Sequence, residues 1–309
     1  MPSLQSRILR FFIRRMNILN RTDLSLPEMR RIVDSSAVLL RTPMGVTVRP
    51  GRLDDVPGEW IVPRSALDGR VLLYFHGGGF LFCSPATHRA MIARLAKAAG
   101  TPAFSVDYRL APEHPFPAAL EDCTAAYRGL LRSGIPARRI VVAGDSAGGN
   151  LALVLLLALR KAGGEPPAAA VGLSPVTDFT FSGESSRKKA GIDPIFPAGS
   201  SRSLSVEILD GYIGSGDVSN ELISPLLGDW RGMPPILLHV GEDEVLLDDS
   251  VRLAKRVRAS GSRAECDVWD GMRHVYQVYA PFLPEANRSI AQIGAFIREI
   301  QQEGKAAGN

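Results

Sequence analysis

The apolar positions of this chain change rhythm once, near Val46. Before that point Ile8, Leu9, Phe12, Ile13 and Met16 recur at helical spacing with arginines opposite, which predicts an amphipathic helix. After it come strands, first residues 58–63 (GEWIVP) and then Arg70–Phe75, which runs into three glycines. Further strands are expected at Pro102–Val106, Arg139–Ala143, Ala168–Leu173, Ile236–Val240 and Ala264–Trp269. Helices alternate with them. Ser84 and Pro85 stand as N-cap and first helical residue of one that continues through Met91–Ala98. The others fall at Pro117–Arg132, Leu151–Lys161, Val251–Ala259 and Ala286–Ile300. Short strands apolar on both faces, alternating with helices of this length, predict an α/β fold: a mostly parallel sheet covered on both sides.

One stretch breaks the alternation. Residues 179–227 are rich in serine, glycine and charge, with a helical pattern at Leu204–Tyr212. An insertion in such a domain usually lies beside the carboxyl ends of the strands, where ligands bind. The reading is therefore a catalytic domain over residues 46–309, capped by residues 1–45 and by this second insertion. Ser182–Ser203 reads equally well as a surface excursion.

Composition excludes more than it selects. Of 309 residues, 45% are apolar and 22% charged, so a sizeable core is available and disorder is not expected. The net charge of +4 is concentrated in N-terminal arginines, and no basic run interleaved with aromatics follows, so nucleic acid is not the expected partner. Three cysteines without CxxC spacing argue against a disulfide framework or a zinc site. The N-terminus lacks the apolar core and cleavage site of a secretory signal, and Leu151–Leu159, the longest apolar run, is too short to span a bilayer. A cytoplasmic protein with no stable membrane insertion is expected. Its first helix should fold onto the body, its arginines offering at most a contact with a membrane surface.

The chemistry begins at Gly144-Asp-Ser-Ala-Gly148, a G-x-S-x-G motif between an expected strand and an expected helix. That context makes Ser146 a nucleophile presented on a strained elbow at a helix N-terminus. A serine hydroxyl needs a base. Of the five histidines, His239 lies in a strand, His88 in a helix, His114 in a proline-rich loop and His76 before the glycines. Only His274, in a late loop after a strand, fits the Ser…Asp…His chain order. The orienting acid should follow Ile236–Val240, where Gly241-Glu242-Asp243-Glu244 stands. Asp243 is the best candidate by position, though chemistry alone does not separate it from Glu242 and Glu244. Asp248 and Asp249 are expected to cap and charge the next helix. The glycine run Gly77, Gly78 and Gly79, with the amide of Ala147, should form the oxyanion hole, since backbone donors reach an oxyanion only where side chains are absent. Gly78 and Gly79 are the two preferred, and His76 is expected to order that loop.

Taken together, residues 76–80 (HGGGF), 107–122 (DYRLAPEHPFPAALED), 144–153 (GDSAGGNLAL), 241–250 (GEDEVLLDDS) and 271–277 (GMRHVYQ) resemble the hormone-sensitive-lipase family of bacterial esterases. The resemblance runs over nearly the whole chain. It implies the α/β-hydrolase fold, the nucleophile at Ser146, the acid at Asp243, the base at His274, an oxyanion hole at Gly78, Gly79 and Ala147, and an N-terminal helical cap. It further implies short acyl esters as substrates and, as an assembly, a homodimer joined through an edge strand. The segment Asp107–Glu113 corresponds to a structural signature whose charges are expected to be buried and paired. Tyr276 departs modestly from the pattern, with consequences for pocket shape alone. The expected activity is hydrolysis of short- to medium-chain carboxylic esters through an acyl-enzyme, with no metal or organic cofactor. An amidase, deacetylase or lactonase could use the same machinery, and a catalytically silent binding module could use the same fold. The complete set of site residues disfavours the last. Phe80 and Phe82 are candidate substrate contacts, with Phe11, Phe12 and Met16 of the cap.

Overall fold

The computed structural model describes residues 2–16, 24–37, 41–193 and 209–306. Among these residues eight strands form one sheet in the order β1-β2-β4-β3-β5-β6-β7-β8. β1 (Val46–Leu53) and β2 (Val56–Pro63) make an antiparallel hairpin, and β2 also runs antiparallel to β4 (Ala103–Val106). From β4 onward every pairing is parallel: β3 (Val71–Phe75), β5 (Ile140–Asp145), β6 (Ala169–Leu173), β7 (Ile236–Gly241) and β8 (Ala264–Trp269).

The strands β3, β4, β5, β6 and β7 are buried throughout, because helices cover both faces. Alternate side chains feed two separate cores. Leu72, Tyr74, Val141, Ala143, Val171 and Leu237 face α3 (Pro85–Ala99) and the long C-terminal helix α8 (Pro284–Ala306). Leu73, Phe75, Val142, Ala170 and Leu238 face the other way, toward α4 (Ala118–Arg132), α5 (Ala147–Lys161) and α7 (Leu247–Ala259). Each fully buried Leu, Ile, Val or Phe is worth about 1.5–3 kcal/mol of hydrophobic stabilisation. A one-residue slip of any central strand would exchange its two faces, so register is strongly held. α3 begins as expected, with Ser84 as N-cap, Pro85 at the first helical position and a capping box with Thr87.

The cap differs from expectation in three places. α1 (Leu4–Met16) docks through polar ties: the Ser3 amide and hydroxyl donate to Glu285 at 2.7 and 2.9 Å. Its apolar stripe is not folded inward, for Leu4, Ile8, Phe11 and Phe12 are 63, 49, 56 and 54% exposed. α2 (Leu26–Ser36) is fastened by Arg30, which donates to the carbonyls of Leu81 (2.6 Å) and Ala111 (2.8 Å) and pairs with Glu113. In the insertion a short helix α6 (Ser185–Lys188) forms within the stretch that also read as an excursion, because Asp248 accepts from the Ser185 amide at 2.9 Å. Of the helix expected at 204–212, residues 204–208 lie outside the described residues, and a single π turn at Leu209–Ile213 is seen. Tyr212 there stacks on Phe80, with ring centroids 3.6 Å apart. No helix among the described residues is long and apolar enough to cross a membrane.

Candidate active site

Every group singled out for chemistry lies just beyond a strand's carboxyl end. Phe75 pairs with Gly144, Asp145 with Leu173, Leu173 with His239, and Gly241 with Trp269, so the loops that follow β3, β5, β6, β7 and β8 emerge side by side.

Ser146 sits between β5 and α5 at φ 53°, ψ −117°, a conformation an L-residue adopts only under strain. The surroundings hold it there. Its amide donates to Leu173 O at 2.8 Å, its carbonyl accepts from Asn150, and Asn150 in turn is buried and bonded to Val176 and Ile223. The glycine loop lies against this elbow. A Cβ on Gly77 would fall 2.2 Å from Asp145 Oδ2, so only glycine allows the two segments to touch. Gly78 has φ +113°, and a Cβ there would meet the Phe82 carbonyl at 2.1 Å.

Beneath that contact lies a buried polar cluster that sequence reading did not single out. Asp145 accepts from Tyr74 Oη at 2.7 Å and from His88 Nε2 at 3.1 Å. Burial opposes its ionisation, but the His88 charge and these bonds outweigh burial and hold the carboxyl below its usual pKa. His76 bonds the Gly77 carbonyl through Nδ1 at 2.7 Å and stacks on Tyr108, whose hydroxyl donates to the His76 carbonyl at 2.7 Å. Burial, and then the neighbouring His88, push the His76 imidazole down to about 3, so it is neutral at physiological pH. His239 is likewise buried in the core and pushed down to about 3.

His274 is brought to the same edge by the loop after β8, and the carboxylate bonded to it is that of Glu244. His274 Nδ1 donates to Glu244 Oε2 at 2.7 Å. Glu244 is fully buried; its other oxygen accepts from the Gly241 amide and from Ser174 Oγ at 2.9 Å. Burial lowers the His274 pKa, yet the Glu244 hydrogen bond and charge raise it further, and the net result lies above the ordinary histidine value. Ser174 is the hub of this arrangement. Held at φ 47°, it donates to Glu244 while its hydroxyl accepts from the Val275 amide at 3.1 Å.

The expected pairing of Asp243 with His274 is thus corrected. Its amide donates to Met272 O at 2.8 Å, and its side chain points away from the imidazole to Arg10 and to Lys189 Nζ at 3.4 Å. The neighbour one position on, Glu244, is the residue whose carboxylate meets His274. The signal for Glu244 was present, one of three carboxyls in the same loop, but no chemistry in the pattern chose among them.

Five further expectations are revised. Phe80 and Phe82 are 1 and 6% exposed and belong to the hydrophobic core. Phe11 and Phe12 face outward, and Met16 carries no described side chain. The charges of Asp107–Glu113 are on the surface, Arg109 pairing with Asp122 and Glu121, whereas Tyr108 is the buried member of the segment. Asp248 and Asp249 stand in the first turn of α7, as expected, but do not cap it: they bond Ser185 and, at 2.6 and 3.0 Å, the amides of Thr177 and Asp178. Tyr276 is completely buried in the core beneath α8.

A strained serine elbow, a glycine loop against it and a carboxylate-bound imidazole, gathered at one end of a parallel sheet, are the parts that acyl transfer requires. They define a hydrolase of the α/β class. The model of the alpha/beta hydrolase fold family matches residues 72–278, and the chain belongs to that family. It is 42% identical over 246 residues to an acetyl-hydrolase of Streptomyces hygroscopicus, covering 80% of this chain and 81% of that one. With the esterase LipU of Mycobacterium tuberculosis it shares 39% identity over 280 residues, 87% of this chain and 92% of the relative. Among solved structures, an esterase of the bacterial hormone-sensitive lipase family superposes with a TM-score of 0.91 at 40% identity, covering 97% of this chain and 99% of the other. The chain is a carboxylester hydrolase of that bacterial family.

Proposed function

We propose that this enzyme cleaves short- to medium-chain carboxylic esters through an acyl-enzyme on Ser146, with His274 as general base and Glu244 as the orienting acid. The observation that carries the reading is the buried Glu244–His274 hydrogen bond, at the sheet edge where the Ser146 elbow emerges. With Nδ1 committed to Glu244, Nε2 is the nitrogen that takes the Ser146 proton as the hydroxyl attacks the ester carbonyl. The new C–O bond leaves an oxyanion facing the amides of Gly78, Gly79 and Ala147, each donor worth about 3–4 kcal/mol in the transition state. Collapse expels the alcohol, which takes the proton from the imidazolium. Water then repeats the sequence and releases the carboxylic acid. The helix α5, starting at Ala147, adds its positive end to the same oxyanion.

Short acyl groups are supported by the company the chain keeps: a 42%-identical relative is an acetyl-hydrolase, and EstE5, 35% identical, was studied soaked with p-nitrophenyl butyrate. Ser146→Ala should abolish turnover of p-nitrophenyl butyrate while circular dichroism stays native. An activity series from acetate to palmitate should peak at the short end; an optimum on long-chain emulsions would overturn the substrate assignment.

A further inference from the structure

Asp243, freed from the imidazole, occupies a position of its own. Its two oxygens receive cations from two segments distant in sequence: Arg10 of α1 and Lys189 at the end of α6. Arg10 also donates to Gly271 O at 3.0 Å, in the loop that leads to His274. That loop is zipped to the acid loop by backbone: Glu242 N to Trp269 O, Asp243 N to Met272 O, and the Gly271 amide to Glu242 Oε2 at 3.1 Å. Lys189 in turn anchors the turn that follows α6, its carbonyl accepting from Ile192 and Asp193. Asp193 is one of the charges that raise the His274 pKa. One carboxylate therefore joins both cap segments to both loops of the acid–base pair.

We propose that Asp243 is a positioning residue. The Arg10–Asp243–Lys189 junction holds the two cap segments over Glu244 and His274 and thereby sets which esters reach Ser146, without taking part in the chemistry. This deepens the function proposed above and rests on it. Asp243 is the carboxylate that both Arg10 and Lys189 touch. All three side chains remain 19–29% exposed, so the junction is open to screening by salt. Partly exposed pairs of this type are weak, so the junction adjusts the cap segments without locking them.

The test compares D243N, R10Q and E244Q in the full-length enzyme on p-nitrophenyl acetate and decanoate. D243N should keep kcat on acetate within about two-fold of wild type, while kcat/KM for decanoate relative to acetate rises roughly two- to five-fold, the range an exposed ion pair supports. R10Q should reproduce much of that change. In wild type the same ratio should rise with added NaCl toward the D243N value, and in D243N it should not respond. Amides of α1 should exchange with deuterium faster in D243N. E244Q should instead lose on the order of 10³–10⁴ in kcat on both esters. If D243N loses kcat as deeply as that, Asp243 is the acid and the junction is no mere tie. If D243N changes neither the ester ratio nor α1 exchange, the tie holds nothing. Should E244Q stay active, the acid assignment itself fails, and α1 exchange still decides the tie separately.

Discussion

At the scale of single residues the chemistry turns on which carboxylate the imidazole finds. Glu244 wins because it is buried, bonded by Ser174 and the Gly241 amide, and aimed at Nδ1; Asp243 is partly exposed and satisfied by two cations. The same bond sets the pH response. A base must be neutral to accept the serine proton, and Glu244 raises the His274 pKa above its ordinary value, so kcat/KM should fall as pH drops through a midpoint above 6.5. Removing that charge in E244Q should move the midpoint of whatever activity survives to lower pH; an unmoved acid limb would mean another group titrates. Gly78 offers a second residue-scale test. With φ +113° and only 2.1 Å between an added Cβ and the Phe82 carbonyl, Gly78→Ala must displace the loop. A loss of one oxyanion donor, about 10²–10³ in kcat with a smaller change in KM, should follow.

At the scale of elements, the body fastens the N-terminal helices by polar side chains as well as by burial. α2 illustrates the point. Its Met29 is buried in the main core, yet Arg30 makes three connections across to Leu81, Ala111 and Glu113, in the two loops that frame the oxyanion glycines. Arg30→Ala strands two carbonyls and should cost about 1–3 kcal/mol locally. Hydrogen exchange should register this as faster opening of α2 with the central strands unaffected; uniform protection would show that packing alone holds the helix. The strands and most body helices were legible from alternation of texture, and their ends moved by only a few residues. The cap was less so. Its apolar positions have helical spacing, but spacing does not say which way a stripe faces, and in α1 it faces out because the inward contacts are made by Ser3, Ser6 and Arg10.

At the scale of the whole molecule, loops far apart in sequence are locked together by buried polar groups, and one of these couples stability to pH. Asp249, at the start of α7, is wholly buried against the Thr177–Asp178 turn that follows β6. Burial pushes its carboxyl up to about 7, overriding the amides that favour the charged form. The folded protein thus holds this proton more tightly than the unfolded chain does. Its stabilising contribution is full below the unfolded value near 3.8 and is lost as pH rises to about 7. Asp249→Asn, neutral throughout, should remove up to about 3 kcal/mol of that pH dependence in urea unfolding measured at about pH 5 and about pH 8. An identical slope in wild type and variant would place the titration elsewhere.

The order of strands and helices, the elbow at Ser146, the glycine loop and the place of His274 in the loop after the last strand were all readable from the chain itself. Each depends on local features: periodicity, a motif in its flanking context, and the sequence order of the parts. Which carboxylate bonds His274, the Ser174 hub, the Asp145–His88 cluster and the outward stripe of α1 were settled only in three dimensions. These depend on where a side chain points once distant loops meet, and two adjacent carboxyls look alike until one of them is buried against an imidazole and the other is claimed by arginine and lysine.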